Sequence, residues 1–110
     1  MTGVSELNEL LVANNCLRSM SMQFDENTMA YELSLLIAAT ENAGADAVRI
    51  SFIDVSQFTS RDLGGGLTQL MHMSVNKVDA GFDRVRYEFC EHEDGKLSFC
   101  FSSFSVECVE

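Results

Sequence analysis

A chain of 110 residues carrying 17 acids against 7 bases, for a formal net charge of −10, is expected to form one domain (1–110) around a modest core of its own. That charge disfavours DNA, RNA or an anionic membrane as a partner. No apolar run reaches the ~18 residues of a membrane span, and Met1-Thr2-Gly3-Val4-Ser5-Glu6 lacks the basic-then-apolar order of a secretory signal, so a cytosolic protein is expected.

The first element is a short helix from Ser5 to Asn15. Ser5 can cap it, Glu6 and Glu9 suit its positive end, and Leu7, Leu10 and Leu11 form one apolar stripe. From Leu17 the period changes to two, with Met20, Met22 and Phe24 alternating against Ser19, Ser21 and Gln23. A loop of Asp25-Glu26-Asn27-Thr28 would pair Phe24 with Met29, Met22 with Tyr31 and Met20 with Leu33. The segment from Thr28 to Ala39 fits a helix through Met29, Leu33, Leu36 and Ile37, or a strand through Tyr31, Leu33, Leu35 and Ile37. The cross-strand match with the preceding strand favours the strand. A helix there would change the sheet order.

Thr40 to Asp46 reads as a polar loop, and Ala47 to Phe58 as an interior strand. Val48, Ile50 and Phe52 share one face of it, with Ile53 and Val55 on the other. Thr59 to Gly66 carries three glycines but no following Lys-Ser or Lys-Thr, so it reads as a loop and not a phosphate cradle. Leu67 to Val78 reads as a further strand with Met71, Met73 and Val75 facing one way.

The most strongly patterned stretch is the last, Asp83 to Val109. Val85, Tyr87 and Phe89 alternate with Arg84, Arg86, Glu88 and Cys90, and the alternation resumes at Leu97, Phe99 and Phe101. A three-residue Glu93-Asp94-Gly95 turn with Gly95 left-handed pairs Phe89 with Phe99 and Tyr87 with Phe101, which keeps the apolar face whole. The same register sets Cys90 opposite Ser98 and Cys100 opposite Glu88. The expected fold is therefore α+β: a predominantly antiparallel sheet of about six strands with one short N-terminal helix.

Chemistry-bearing motifs are sparse. Cys16, Cys90, Cys100 and Cys108 read as reduced, packed thiols in a non-secreted chain. Cys90, His92 and Cys100 point the same way, a set zinc would accept, but no Cys-x-x-Cys knuckle or fourth ligand accompanies them, and no metal or cofactor is expected. His72 and His92 lack a nucleophile elbow, so no catalytic residue is assigned and the chain is not expected to be an enzyme. The acids crowd into turns and strand ends. Asp62, Asp79, Asp83, Glu91, Glu93 and Asp94 are the candidates for contact with a basic partner, in which charge complementarity sets rate and specificity.

One resemblance draws these features together. It runs through Phe24-Asp25, Leu33-Ser34-Leu35-Leu36-Ile37, Val48-Arg49-Ile50-Ser51-Phe52-Ile53-Asp54-Val55, Gly66-Leu67-Thr68-Gln69-Leu70, Gly95 to Phe101, and Phe104-Ser105-Val106-Glu107-Cys108. Over Leu17 to Glu110 the chain resembles the small α+β immunity proteins of bacterial polymorphic-toxin systems, of the contact-dependent growth inhibition and Rhs or type VI kinds. The resemblance implies a cytosolic protein that binds and neutralises a cognate toxin domain, often by covering a basic nuclease active site. It transfers no residue roles. The alternative is a β-rich domain that forms a homodimer through edge strands or holds a small ligand in the sheet's concavity.

Overall fold

The computed structural model describes residues 3–39, 47–60, 68–69, 72–79, 85–92 and 95–109. Its elements are α1 (Val4–Ala13), β1 (Cys16–Asp25), β2 (Ala30–Ala38), β3 (Ala47–Ser60), β4 (Thr68–Gln69), β5 (Met73–Asp79), β6 (Val85–Glu91), β7 (Leu97–Phe101) and β8 (Ser103–Val109). The α+β architecture with its N-terminal helix is as the periodicity indicates. Among the described residues eight strands take the place of about six, because two expected strands are each divided. His72, at φ 54°, immediately precedes β5, and Ser102 separates β7 from β8. The expected loop at Thr40 to Asp46, most of the glycine-rich stretch and Met71 lie outside the described residues.

The helix begins at Val4 with Gly3, not Ser5, in the capping position, and no side chain caps it. Asn14 ends it, donating both its backbone N–H and its Nδ2 to the Leu10 carbonyl at 2.9 Å. Leu7 and Leu11, four apart and so on one stripe, are 0% and 1% exposed. Asn8 leaves the helix sideways. Its Nδ2 donates to the Val75 carbonyl at 3.0 Å while its Oδ1 accepts from the Val75 N–H at 2.8 Å. One amide thus plays the part of a neighbouring strand and blunts the edge of β5 against further pairing.

The strands form one antiparallel sheet in the order β4-β1-β2-β3-β7-β6-β5, with β8 also on β3. The first hairpin has the expected facing set in a shifted register: Phe24 pairs with Tyr31, Met22 with Leu33 and Met20 with Leu35. The reason is local to the turn. Asp25 stays in the strand opposite Ala30, its Oδ1 accepts the Asn27 N–H at 2.9 Å, and its carbonyl accepts the Met29 N–H at 2.8 Å. The loop becomes Glu26 to Met29, so each strand slides one residue and parity survives.

Strand β3 holds the molecule together. Its first half pairs with β8, from Ala47 opposite Val109 to Ile53 opposite Ser103, and its second half pairs with β7, from Ser56 opposite Cys100 to Ser60 opposite Leu97. The backbone is left-handed at Asp54 (φ 61°), between the halves, and at Gln57 (φ 52°), inside the second, where the pairing with β7 shifts register. The extra residue at Asp54 is a bulge, and it corrects the expected face of Val55. Phe52 and Val55 both enter the core, at 0% and 7% exposure, where strict alternation would have set them apart.

Arg86 ties this bend. Its Nη1 lies 3.0 Å from Asp54 Oδ2 and 3.2 Å from Ser102 Oγ; its Nη2 donates to the Asp54 carbonyl at 3.0 Å and to Ser56 Oγ at 2.6 Å. Ser102 Oγ adds a bond to Asp54 Oδ2 at 2.7 Å, and the Ser102 N–H one to the Ile53 carbonyl at 2.9 Å. A planar guanidinium with five donors suits this task, since its bonds fan out to three residues at once.

The bend brings both halves of the sheet onto one core. Leu33, Leu35, Ile37, Ile50 and Phe52 from one half meet Val75, Phe89, Leu97, Phe99 and Phe101 from the other, with Leu7 and Leu11 beside them. Phe52 stands edge-on to Phe89, Phe99 and Phe101 at ring separations of 5.8, 4.9 and 4.8 Å. Across the last hairpin Phe89 pairs with Phe99 and Tyr87 with Phe101, Cys90 lies opposite Ser98, Cys100 lies opposite Glu88, and Gly95 is left-handed at φ 64°, all as the alternation predicts.

Candidate protein-binding site

The end of the β1–β2 hairpin reaches past the core. The last residue of β3 beside it is Val55, opposite Tyr31, after which β3 turns away to β7. On its other side β1 is paired with β4 only at Cys16 and Leu17 among the described residues. From Ser21 to Met29 every residue except the half-buried Asp25 is exposed.

What this end displays is apolar. Met22 is 39% exposed, Phe24 45%, Met29 73% and Tyr31 48%. Met22, Phe24 and Tyr31 lie on the same face as Leu33 and Leu35, so the core face simply continues beyond the point where anything covers it. The Phe24 and Tyr31 rings meet edge to face at 5.2 Å. Gln23, Asp25 and Glu32 alternate with that set and so take the other face of the hairpin, where with Phe24, Glu26 and Asn27 they line a shallow hollow. The hairpin thus has an exposed aromatic and methionine face, of the composition that protein interfaces favour, backed by an acidic one.

The acids expected to contact a partner fare differently. Asp62, Asp83, Glu93 and Asp94 lie outside the described residues. Asp79 closes β5 opposite Val85. Glu91 is a correction: it is 1% exposed, and its Oε1 accepts the Lys96 N–H at 2.9 Å. It locks the β6–β7 turn from inside and has no free surface to offer. The alternation that placed Tyr87 and Phe89 inward puts Glu91 inward too, which its charge obscured.

The polar clusters elsewhere are surface features. Ser74 Oγ and His92 Nε2 are 2.5 Å apart on the exposed side of β5 and β6, and among the described contacts no carboxylate orients that imidazole as a triad requires. Burial, then the charges of Glu88 and Glu91, push the Cys90 thiol up, so it stays protonated and a poor nucleophile. Among the described residues no group of three His, Cys, Asp or Glu side chains gathers to hold a metal ion. None of their helices is long and apolar enough to cross a membrane.

The fold and this surface define an α+β domain with an acidic, aromatic-tipped hairpin. The chain matches no protein-family model, no curated protein and no solved structure.

Proposed function

We propose that this chain is a binding protein whose partner is a basic protein domain, engaged through the exposed end of the β1–β2 hairpin. The observation that carries the reading is the exposed apolar set Met22, Phe24, Met29 and Tyr31, with Asp25, Glu26 and Glu32 on the same hairpin, on a chain of net charge −10. Apolar anchors supply affinity, and the acids supply steering and partner choice. The resemblance to immunity proteins gives the partner a role: a cognate toxin domain, neutralised in the cytosol when its basic active site is masked. Such a protein needs no catalytic residue, metal or cofactor of its own.

The test uses the protein encoded beside this chain, purified as a domain and titrated calorimetrically at low and high salt. Saturable 1:1 binding that weakens with salt, with loss of the domain's activity, is the expected result. Failure to bind at either salt concentration rejects the proposal.

A second reading is favoured by β8, whose outer edge is unpaired among the described residues and whose only charge is Glu107. Two copies could join there into a continuous sheet, each carrying −10 toward the other. A mass measured by light scattering that rises to the dimer as salt screens that repulsion would support it.

A further inference from the structure

We infer that the edge of β1 from Ser19 to Asp25 takes up an extended strand of the partner, in which apolar residues beside Met20, Met22 and Phe24 alternate with lysines or arginines beside Gln23 and Asp25. This rests on the proposed binding function and adds how the partner's backbone is held and the pattern of the segment that binds.

Three observations converge. The first is the backbone. One side of β1 pairs with β2 without interruption from Ser19 to Asp25, while on the other side β4 meets only Cys16 and Leu17 among the described residues. The register shift between Leu17 and Ser19 divides the two stretches. Beyond it every second residue of β1 turns its N–H and carbonyl away from β2, and no described strand meets them. An extended chain satisfies such a row, one peptide group after another.

The second is the lack of a guard. At the opposite end of the sheet the edge of β5 is closed by the Asn8 amide. Edges that avoid pairing carry lysine, proline or a bulge, yet Ser19-Met20-Ser21-Met22-Gln23-Phe24 holds no charge and no proline, and its register with β2 is unbroken. Exposure marks the same boundary. Leu33 and Leu35 of β2 are 0% exposed, whereas Met22 and Met20, paired with them on β1, are 39% exposed and half-buried. One further strand would carry the apolar face on past β1.

The third is the separation of the two faces. Met20, Met22 and Phe24 continue the core face, while Gln23 and Asp25 take the other, where Glu32 stands opposite Gln23. Side chains of an added strand fall on these faces by turns, so apolar residues match the first and cations the second. A second copy of this chain would bring the same Asp25 and Glu32 and a further −10. A segment of a basic domain brings the complement.

The experiment is amide hydrogen exchange read by NMR, on the chain alone and in complex with the purified domain encoded beside it. In the free chain the amides from Ser19 to Asp25 should alternate between slow, bonded to β2, and fast. The complex is expected to slow the fast set at least about 100-fold, whereas contact through side chains alone would leave the alternation in place. Met22→Lys sets a cation on the apolar side of the edge and is expected to weaken binding at least about 30-fold. On the other face Gln23→Lys is expected to weaken it about 10-fold while Gln23→Glu keeps it. These positions are exposed, so circular dichroism should match the parent. If the domain binds but the fast amides of β1 stay fast, if new protection falls on β8 instead, or if Met22→Lys keeps full affinity, strand addition is overturned while the binding function stands. Slowing of the same amides in the chain alone as its concentration rises makes the added strand a second copy and overturns it as well. Absence of any binding to the unmodified chain removes both.

Discussion

At the residue scale, Asp54 and Met29 occupy the same unfavourable region of backbone space for opposite reasons. Asp54 is held there by what surrounds it: Arg86 and Ser102 take its carboxylate, and Arg86 also takes its carbonyl. Replacing Arg86 with methionine leaves those acceptors without their donor in a half-buried site. It should cost about 2 kcal/mol in urea unfolding, whereas Asp54→Asn, which tolerates the conformation and can still accept a hydrogen bond, should cost about half as much. Met29 has no comparable network, only the backbone bond of its N–H to Asp25. Met29→Gly should therefore stabilise the free protein by up to about 1 kcal/mol even as it weakens partner binding. A variant that lost both stability and binding would argue against this account of the residue.

Cys90 supplies a pH dependence. Its thiol is raised above its ordinary range by burial first and by Glu88 and Glu91 after it. As pH rises past the ordinary thiol value of about 8.5 the unfolded chain loses that proton while the folded chain keeps it. The unfolded state gains, and stability falls until pH passes the folded value. Melting curves between neutral pH and pH 10 should show a smaller decline for Cys90→Ser than for the parent chain. An alkylating reagent at pH 8 should modify the exposed Cys108 well before Cys90 or the buried Cys16.

At the scale of elements, the sheet's edges are treated unequally. Strand β5 is closed by the Asn8 amide, which meets both backbone groups of Val75. Asn8→Ala removes two hydrogen bonds and leaves the backbone groups of a half-buried edge to seek water. A loss of about 2 kcal/mol is expected, with faster hydrogen exchange confined to Val75 and its neighbours if the helix otherwise stays docked. The pairing of Asn8 with Val75 joins positions 67 apart in the chain, and nothing in the pattern around either residue announces it. By contrast the last hairpin was legible throughout. Its faces, its turn and its left-handed glycine all follow from one alternation read across a short loop.

At the scale of the whole molecule, charge and core divide the labour. The rings of Phe52, Phe89, Phe99 and Phe101 and the leucines of α1 give the bent sheet its single interior, each fully buried aromatic or leucine contributing about 1.5–3 kcal/mol. The net charge of −10 acts at a distance. It should make association with a basic domain fall about tenfold or more in rate between 0.02 and 0.5 M salt, while dissociation, governed by the buried rings of the hairpin, changes little. Stopped-flow mixing separates the two. A rate insensitive to salt would detach the acidity from recognition.

The sequence by itself determined the α+β class, the partners within the last hairpin and which residues of the first hairpin share a face, because these depend on a period of two and on loops a few residues long. It also determined the acidity of the chain. Only the tertiary structure decided where each face ends. Met22, Phe24 and Tyr31 share their pattern with the buried Leu33 and Leu35, and they are exposed because β3 bends away at Asp54 toward β7. The same distinction separates Glu91 from a surface acid: its inward direction is local, but its burial depends on the core that closes over it. Facing is set by neighbours in the chain, and covering by elements far along it.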